Sequence, residues 1–143
     1  MRGSHVSACN LILFLLGSPV LKTCVLVVED DIIIRMDLVD FLSEEGFEVL
    51  EAADADEAIA ILETNDQIRI ICTDVDMPGS MDGIKLAAAV RNRWPPVKIV
   101  VMSGHRAVTL ADLPEGSLFY TKPYDNSVLG SALRGLIPGM LGS

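Results

Sequence analysis

Residues 68–79 read Ile68–Arg69–Ile70–Ile71–Cys72–Thr73–Asp74–Val75–Asp76–Met77–Pro78–Gly79: an apolar run, a carboxylate, and then a Pro–Gly turn. A short apolar run of this kind is typical of a strand buried in a sheet. A carboxylate at the carboxyl end of such a strand lies where α/β proteins bind ligands, and not in the packed core. Asp74 is therefore the first candidate for a functional residue.

Polar residues also close three other apolar runs of the chain. The runs 24–28, 97–102 and 117–121 are followed by Glu29–Asp30–Asp31, by Ser103 and by Lys122–Pro123. Because the carboxyl ends of parallel strands meet at one edge of a sheet, we expect these side chains to lie together. Carboxylates, a hydroxyl and a lysine in one place predict a cation site beside a phosphoryl site.

Strand and helix patterns alternate along most of the chain. Strands are predicted at 23–28, 47–51, 68–73, 97–102 and 117–120, and helices at 31–45, 55–64, 82–93 and 125–136, with a weaker helical pattern at 106–112. Gly46 is a plausible stop for the first helix, and Asp54 and Asp125 are plausible N-caps. This alternation predicts βαβ units, and hence an α/β domain with a five-stranded, doubly wound parallel sheet.

Composition limits the possible functions. The chain has 143 residues, which suits one domain, and a formal net charge of −9, which makes a nucleic-acid-binding surface improbable. The three cysteines, Cys9, Cys24 and Cys72, have no metal-ligand spacing. Cys24 and Cys72 lie in strand-like runs and are predicted to be buried thiols, which favours a cytoplasmic location.

The two ends of the chain are predicted to lie outside the domain. Residues 1–21 form a leader whose origin stays open between a tag, a start-site artefact, a docking segment and a targeting signal. Its apolar core at 11–16 is far shorter than the roughly 20 residues of a membrane span, so no membrane association is expected. The domain itself is predicted at 22–137, followed by a tail at 138–143.

The predicted site has a coherent chemistry. Glu29, Asp30 and Asp74 would repel one another unless a hard cation lay among them, and Mg²⁺ prefers such oxygen ligands. A carboxylate such as Asp74 can act as a nucleophile toward a phosphoryl group. Lys122 can neutralise one phosphoryl oxygen, and the Ser103 hydroxyl can bond another.

Residues 23–136 resemble the receiver domain of two-component response regulators, which has the flavodoxin-like fold of the bacterial chemotaxis regulator. The resemblance is carried by the motifs Val27–Val28–Glu29–Asp30–Asp31, Thr73–Asp74–Val75–Asp76–Met77–Pro78, Met102–Ser103–Gly104–His105 and Tyr120–Thr121–Lys122–Pro123. It implies a single-domain response regulator that is phosphorylated by a sensor histidine kinase or a histidine phosphotransfer protein. Such a chain switches contacts with a downstream protein and is not an enzyme with a separate substrate, although it catalyses its own Mg²⁺-dependent phosphorylation and dephosphorylation. A homodimer is possible.

The resemblance also assigns roles to residues. Asp74 becomes the phosphoacceptor, and Lys122 binds the phosphoryl group. Glu29, Asp30, Asp74 and the backbone carbonyl of Asp76 become the protein ligands of Mg²⁺.

Further roles implied by the resemblance concern switching and lifetime. Ser103 becomes the switch hydroxyl and Phe119 the switch aromatic. Asp76 and His105 occupy positions that tune hydrolysis of the aspartyl phosphate.

Two departures from the family pattern concern loops. The segment 78–83 has one residue more than usual, and the separation of Ser103 and Lys122 is a few residues shorter than is typical. The fourth helix, between those two residues, is therefore expected to be short or irregular, which affects the usual output surface.

Three other functions share parts of this residue pattern. A Mg²⁺-dependent phosphatase of the haloacid dehalogenase type also uses Asp–x–Asp, Ser and Lys, but it needs the first motif on its opening strand. A flavin-binding electron carrier shares the topology, but Glu29–Asp30 would repel its phosphate. A receiver that works without phosphorylation would normally have lost an acidic residue or the lysine.

Overall fold

The computed structural model describes residues 22–79, 81–104 and 108–137. The predicted leader, the predicted tail and His105 lie outside the described residues. The elements run β1 (Cys24–Val28), α1 (Ile32–Glu44), β2 (Glu48–Ala52), α2 (Ala55–Thr64), β3 (Ile68–Asp74), α3 (Gly83–Arg93), β4 (Lys98–Ser103), β5 (Leu118–Thr121) and α4 (Asn126–Leu136). Each predicted strand and each of the four main helices is present, with ends that move by one residue at most.

All five strands form one parallel sheet in the order β2-β1-β3-β4-β5. The chain moves outward from β1 in both directions, so the strand order reverses between β1 and β3. Ligands of doubly wound sheets bind outside the carboxyl ends of the strands at this reversal. The predicted fold class is confirmed, and the reversal lies between Glu29–Asp30 and Asp74.

Helices cover both faces of the sheet. On one face α1 and α4 pack with Leu38, Leu42, Leu129 and Leu133 against a cluster that includes Val25 and Val27. On the other face α2 and α3 pack against Cys24, Leu26 and Val28. Because β1 is covered from both sides, all five of its residues are buried, as its unbroken apolar sequence predicts.

Local signals set the helix ends. Asp54 and Asp125 cap α2 and α4 as predicted: their carboxylates accept from the backbone N–H groups of Glu57 and Ser127. Asp31, which the sequence places in the first turn of α1, is instead the N-cap of that helix. Gly46 follows the end of α1 with a φ of 102°, a conformation that glycine adopts at little cost.

The connection between β4 and β5 has one short 3₁₀ turn, Leu110–Asp112, among its described residues. The Thr109 N–H donates to the Asp112 carboxylate at 2.8 Å, which closes this turn. The expectation of a short or irregular fourth helix is confirmed for residues 108–117. In the part of the chain that the structure describes, no helix is long and apolar enough to span a bilayer.

Candidate functional site

The carboxylates predicted to share a site do so. One oxygen each from Glu29, Asp30 and Asp74 can be chosen such that all three lie within 4.8 Å of one another. Glu29 and Asp30 follow β1, and Asp74 ends β3, so the two neighbouring strands at the reversal supply the group. Glu29 and Asp74 are only 3% and 4% exposed, whereas Asp30 is open to solvent.

Lys122 reaches this group from β5. Its Nζ lies 3.2 Å from Glu29 Oε1 and 3.1 Å from Asp74 Oδ1. The backbone N–H of Lys122 donates to the Ser103 carbonyl at 2.8 Å, which joins the ends of β4 and β5. The peptide bond from Lys122 to Pro123 is cis. The predicted acids and the lysine therefore converge on one small volume.

The backbone and side chain of Glu29 are both held in place. Its N–H donates to the Ala52 carbonyl at 3.0 Å, and its Oε2 accepts from the Asp31 N–H at 3.2 Å. Because Lys122 Nζ donates to Oε1, each of the two carboxylate oxygens has a hydrogen-bond partner. The glutamate is thus fixed before any ligand arrives.

The Asp74 carboxylate is buried beside the Lys122 ammonium. Oδ1 is fully buried, and Lys122 Nζ lies 3.1 Å from it. Because Lys122 also pairs with Glu29, one ammonium is available to a group of three carboxylates. This excess of negative charge fits a hard cation with oxygen ligands, as Mg²⁺ is.

Burial and like charge govern the ionisation of these acids. Burial raises the pKa of both Glu29 and Asp74, and the two Lys122 contacts only partly offset it. For Lys122, burial alone would lower the pKa of the ammonium, but the charges of Asp74 and Glu29 outweigh it and raise that pKa. The site therefore holds more negative charge than one lysine neutralises.

We expect Asp74→Asn to stabilise the metal-free protein at about pH 7, as measured by thermal or urea unfolding with a chelator. Burial raises the folded-state pKa of Asp74 above its ordinary value of 3.8, so the folded state loses stability as pH rises from the unfolded-state pKa through the folded-state pKa. The variant lacks this loss. Its advantage should shrink as pH falls and vanish at about pH 3, where the carboxyl is protonated in both states. A variant less stable than the parent at neutral pH would contradict this account.

The other predicted residues are distributed around the group. Ser103 ends β4 and is fully buried. Phe119 lies on β5 opposite Val101 and is half-buried against the core. The side chain of Asp76 is exposed beyond β3.

Sequence reasoning missed two residues that support the site. Gly83 begins α3, and a Cβ built on it would overlap the Asp74 carbonyl and lie 2.8 Å from Val75 Cα. Arg35 donates from Nη1 to the Glu29 carbonyl at 2.7 Å. The sequence signal for Gly83 was the Asp82–Gly83 pair after the long loop; for Arg35 there was none.

An apolar surface adjoins the site. Ile32, Ile33, Ile34 and Met36, in the first turns of α1, are all exposed, with Ile33 at 71%. A surface pocket of about 460 Å³ opens beside them, lined by Ile34, Asp37, Lys122, Pro123, Tyr124 and Asn126. Exposed apolar side chains thus follow the acidic pair closely along the chain, and one of them, Ile34, lines the pocket that Lys122 also lines.

The sequence of the chain matches a known family of proteins. The family model of the response regulator receiver domain matches residues 25–134. The chain is similar to the transcriptional regulatory protein PdtaR of Mycobacterium tuberculosis, with 35% identity over 113 residues. That alignment covers 77% of this chain but 54% of PdtaR, so the chain spans about half the length of that relative.

Solved structures of receiver domains are similar to this chain as well. A response regulator receiver protein from Sinorhizobium medicae matches with a TM-score of 0.76 and 27% identity, covering 83% of this chain and 97% of that one. The response regulator TrrA from Thermotoga maritima, in complex with Mg(2+)-BeF, matches with a TM-score of 0.70 and 26% identity, covering 82% and 100%. The acids, the serine and the lysine at the strand ends, the sheet order and these matches lead to one conclusion: the chain belongs to the response regulator receiver family of two-component signalling.

Proposed function

We propose that the chain accepts a phosphoryl group on Asp74 from a phosphohistidine of a sensor kinase or a phosphotransfer protein. The observation that carries this proposal is the position of the Lys122 ammonium, 3.1 Å from the buried Asp74 carboxylate and 3.2 Å from Glu29, beside the group of three carboxylates. The Asp74 carboxylate is thus a potential nucleophile with a positive charge next to it. The family match argues against the phosphatase and flavin-carrier alternatives.

In the proposed reaction an Asp74 carboxylate oxygen attacks the phosphorus. A P–O bond forms and the P–N bond to the donor imidazole breaks, with its electron pair left on the imidazole nitrogen. The Lys122 ammonium, which lies within 3.2 Å of the Glu29 and Asp74 carboxylates, would then pair with a phosphoryl oxygen. Positioning and charge neutralisation are the main requirements of such a transfer.

Glu29, Asp30, Asp74 and the Asp76 backbone carbonyl would hold Mg²⁺ in this proposal. The metal would neutralise charge on the phosphoryl group. The pKa values of Glu29 and Asp74 are raised mainly by burial and further by neighbouring carboxylates, and a bound cation would favour the charged form of both groups. The related TrrA is known in complex with Mg(2+)-BeF.

We expect Asp30→Asn to weaken Mg²⁺ binding at least about tenfold, since loss of a mere outer-shell partner already costs that much. Asp30 is exposed, so the fold should tolerate the change. Calorimetric titration with Mg²⁺ measures the effect. Asp40→Asn, an equal charge change at an exposed position of α1, is the control and should bind as the parent does. Equal affinity in Asp30→Asn would contradict the ligand assignment.

The proposed output is a change of protein contacts. A phosphoryl group on Asp74 would draw the buried Ser103 hydroxyl toward it, and Phe119 on the adjacent strand could follow. Asp76 and His105 would set the lifetime of the aspartyl phosphate by controlling access of water. Cys24 and Cys72 are both buried among apolar side chains, which supports a cytoplasmic site of action.

The apolar surface of α1 supports the proposal that the donor is a protein. Ile34, one of the four exposed side chains at 32–36, lines the pocket beside Lys122. The exposed residues Asp30, Asp31 and Asp37 flank this segment in the chain, so the complementary partner presents an apolar surface with Lys and Arg beside it. Such a partner would place its phosphohistidine over Asp74.

We expect Ile33→Asp to slow phosphotransfer about tenfold when the donor is a histidine kinase that labels the parent protein. The reason is that a charge at this position would disrupt the apolar contact with the kinase. Labelling by acetyl phosphate should be unchanged, since this donor needs no protein surface. Leu110→Asp, which changes an equally apolar and 56% exposed residue in the connection between β4 and β5, is the control. Equal slowing in both variants would contradict the docking surface.

A further inference from the structure

The guanidinium of Arg35 connects three parts of the fold. Nη1 donates to the Glu29 carbonyl at 2.7 Å, and Nε donates to Glu51 Oε1 at 2.9 Å. Arg35 belongs to α1 and Glu51 to β2, while Glu29 begins the loop that carries the acids. The side chain of Arg35 is only 14% exposed, so it is a packed bridge and not a solvated helix residue.

This bridge completes the fixation of Glu29. The Glu29 N–H is bound by the Ala52 carbonyl of β2, and its carboxylate is bound by Asp31 N–H and Lys122. Its carbonyl is the remaining polar group, and Arg35 takes it. That carbonyl belongs to the peptide unit that joins Glu29 to Asp30, so its orientation sets the direction in which the Asp30 side chain leaves the backbone.

We infer that Arg35 is a positioning residue for the cation site, one that acts through the backbone between Glu29 and Asp30; this inference rests on the proposed metal site. The effect of position and the effect of charge have opposite signs. A positive charge near the site repels Mg²⁺, so if Arg35 acted only through its charge, its removal would tighten Mg²⁺ binding. If Arg35 instead holds the Glu29 backbone in place, its removal would weaken Mg²⁺ binding.

The test is calorimetric titration of the full chain with Mg²⁺. In Arg35→Met we expect the Kd to rise about tenfold, the size that loss of an outer-shell partner produces. The matched control is Arg91→Met. Arg91 likewise donates two hydrogen bonds, in its case to the backbone carbonyls of Pro95 and Glu115, which lie at the opposite end of the strands, before β4 and β5. Its loss should change the Kd by less than about twofold.

A second measurement needs no metal. Amide hydrogen exchange in the metal-free protein should become faster at Asp31, whose N–H donates to Glu29 Oε2, in Arg35→Met. Exchange at Val101, in the interior strand β4, should be unchanged. Arg35→Lys should show smaller changes than Arg35→Met in both measurements. A lysine ammonium can bind the Glu29 carbonyl or the Glu51 carboxylate, but it lacks the planar guanidinium that binds both.

The outcomes separate the two ideas. A parent protein that binds no Mg²⁺ contradicts the proposed metal site itself. A parent that binds Mg²⁺ while Arg35→Met binds it equally or more tightly overturns the role of Arg35 alone. If Arg35→Met does not fold, Arg35→Lys decides: unchanged Mg²⁺ affinity and unchanged Asp31 exchange in that variant also overturn the inference.

Discussion

Asp74→Asn is expected to abolish phosphorylation completely. Incubation of the parent chain with acetyl phosphate and Mg²⁺ should add one phosphoryl group that is stable in acid and labile in base, as an acyl phosphate is. An amide oxygen in the same place carries no charge and is a poor nucleophile, so intact-mass spectrometry should detect no added mass in the variant. Thermal unfolding of the variant in the same Mg²⁺-containing buffer shows whether it is folded, so that loss of label is not attributed to unfolding.

Asp76→Asn provides the matched control for this experiment. Asp76 is the nearest carboxylate along the strand end, but its side chain is exposed, and the proposal uses only its backbone carbonyl and its influence on water. The control variant should therefore still be labelled, with at most a change in the rate at which label is lost. Label retained in Asp74→Asn, or lost only in Asp76→Asn, would refute the assignment of the phosphoacceptor.

The convergence of Glu29, Asp74 and Lys122 could be predicted from the sequence because it depends on two general rules. Apolar runs without alternation indicate strands covered on both faces, and parallel strands bring their carboxyl ends to one edge. Given the strands, each residue that follows one must lie at that edge. The helix caps Asp54 and Asp125 were predictable for a related reason, since capping involves residues only two or three positions apart.

Contacts that depend on three-dimensional detail could not be predicted in this way. Arg35 meets partners 6 and 16 positions away, and the position of an arginine on a helix does not reveal whether its guanidinium turns inward. Likewise, the raised pKa values of Glu29 and Asp74 follow from how deeply they are buried, which no residue pattern states. The sequence indicated which groups meet; packing decides how each one is held.

Gly83 shows the same limit with a large consequence for stability. Its N–H donates to the Val75 carbonyl at 2.9 Å, which brings the start of α3 directly against the end of β3. A Cβ at this position would overlap the Asp74 carbonyl oxygen and lie 2.8 Å from Val75 Cα. Both are backbone atoms, so the overlap cannot be relieved by rotation of a side chain. We expect Gly83→Ala to lower the free energy of unfolding by about 3 kcal/mol, the upper part of the range for overpacking.

Gly135→Ala is the matched control, because it makes the same substitution in a helix with open space around it. Nothing lies within 4 Å of a Cβ on Gly135, which belongs to α4. That variant should gain about 0.5 kcal/mol from reduced backbone entropy in the unfolded chain. Urea unfolding of both variants measures the pair. A Gly83→Ala variant as stable as the parent would mean that α3 can move away from β3. Any such movement acts on the backbone of Asp74 itself, so acetyl phosphate labelling should slow in that variant and stay normal in Gly135→Ala.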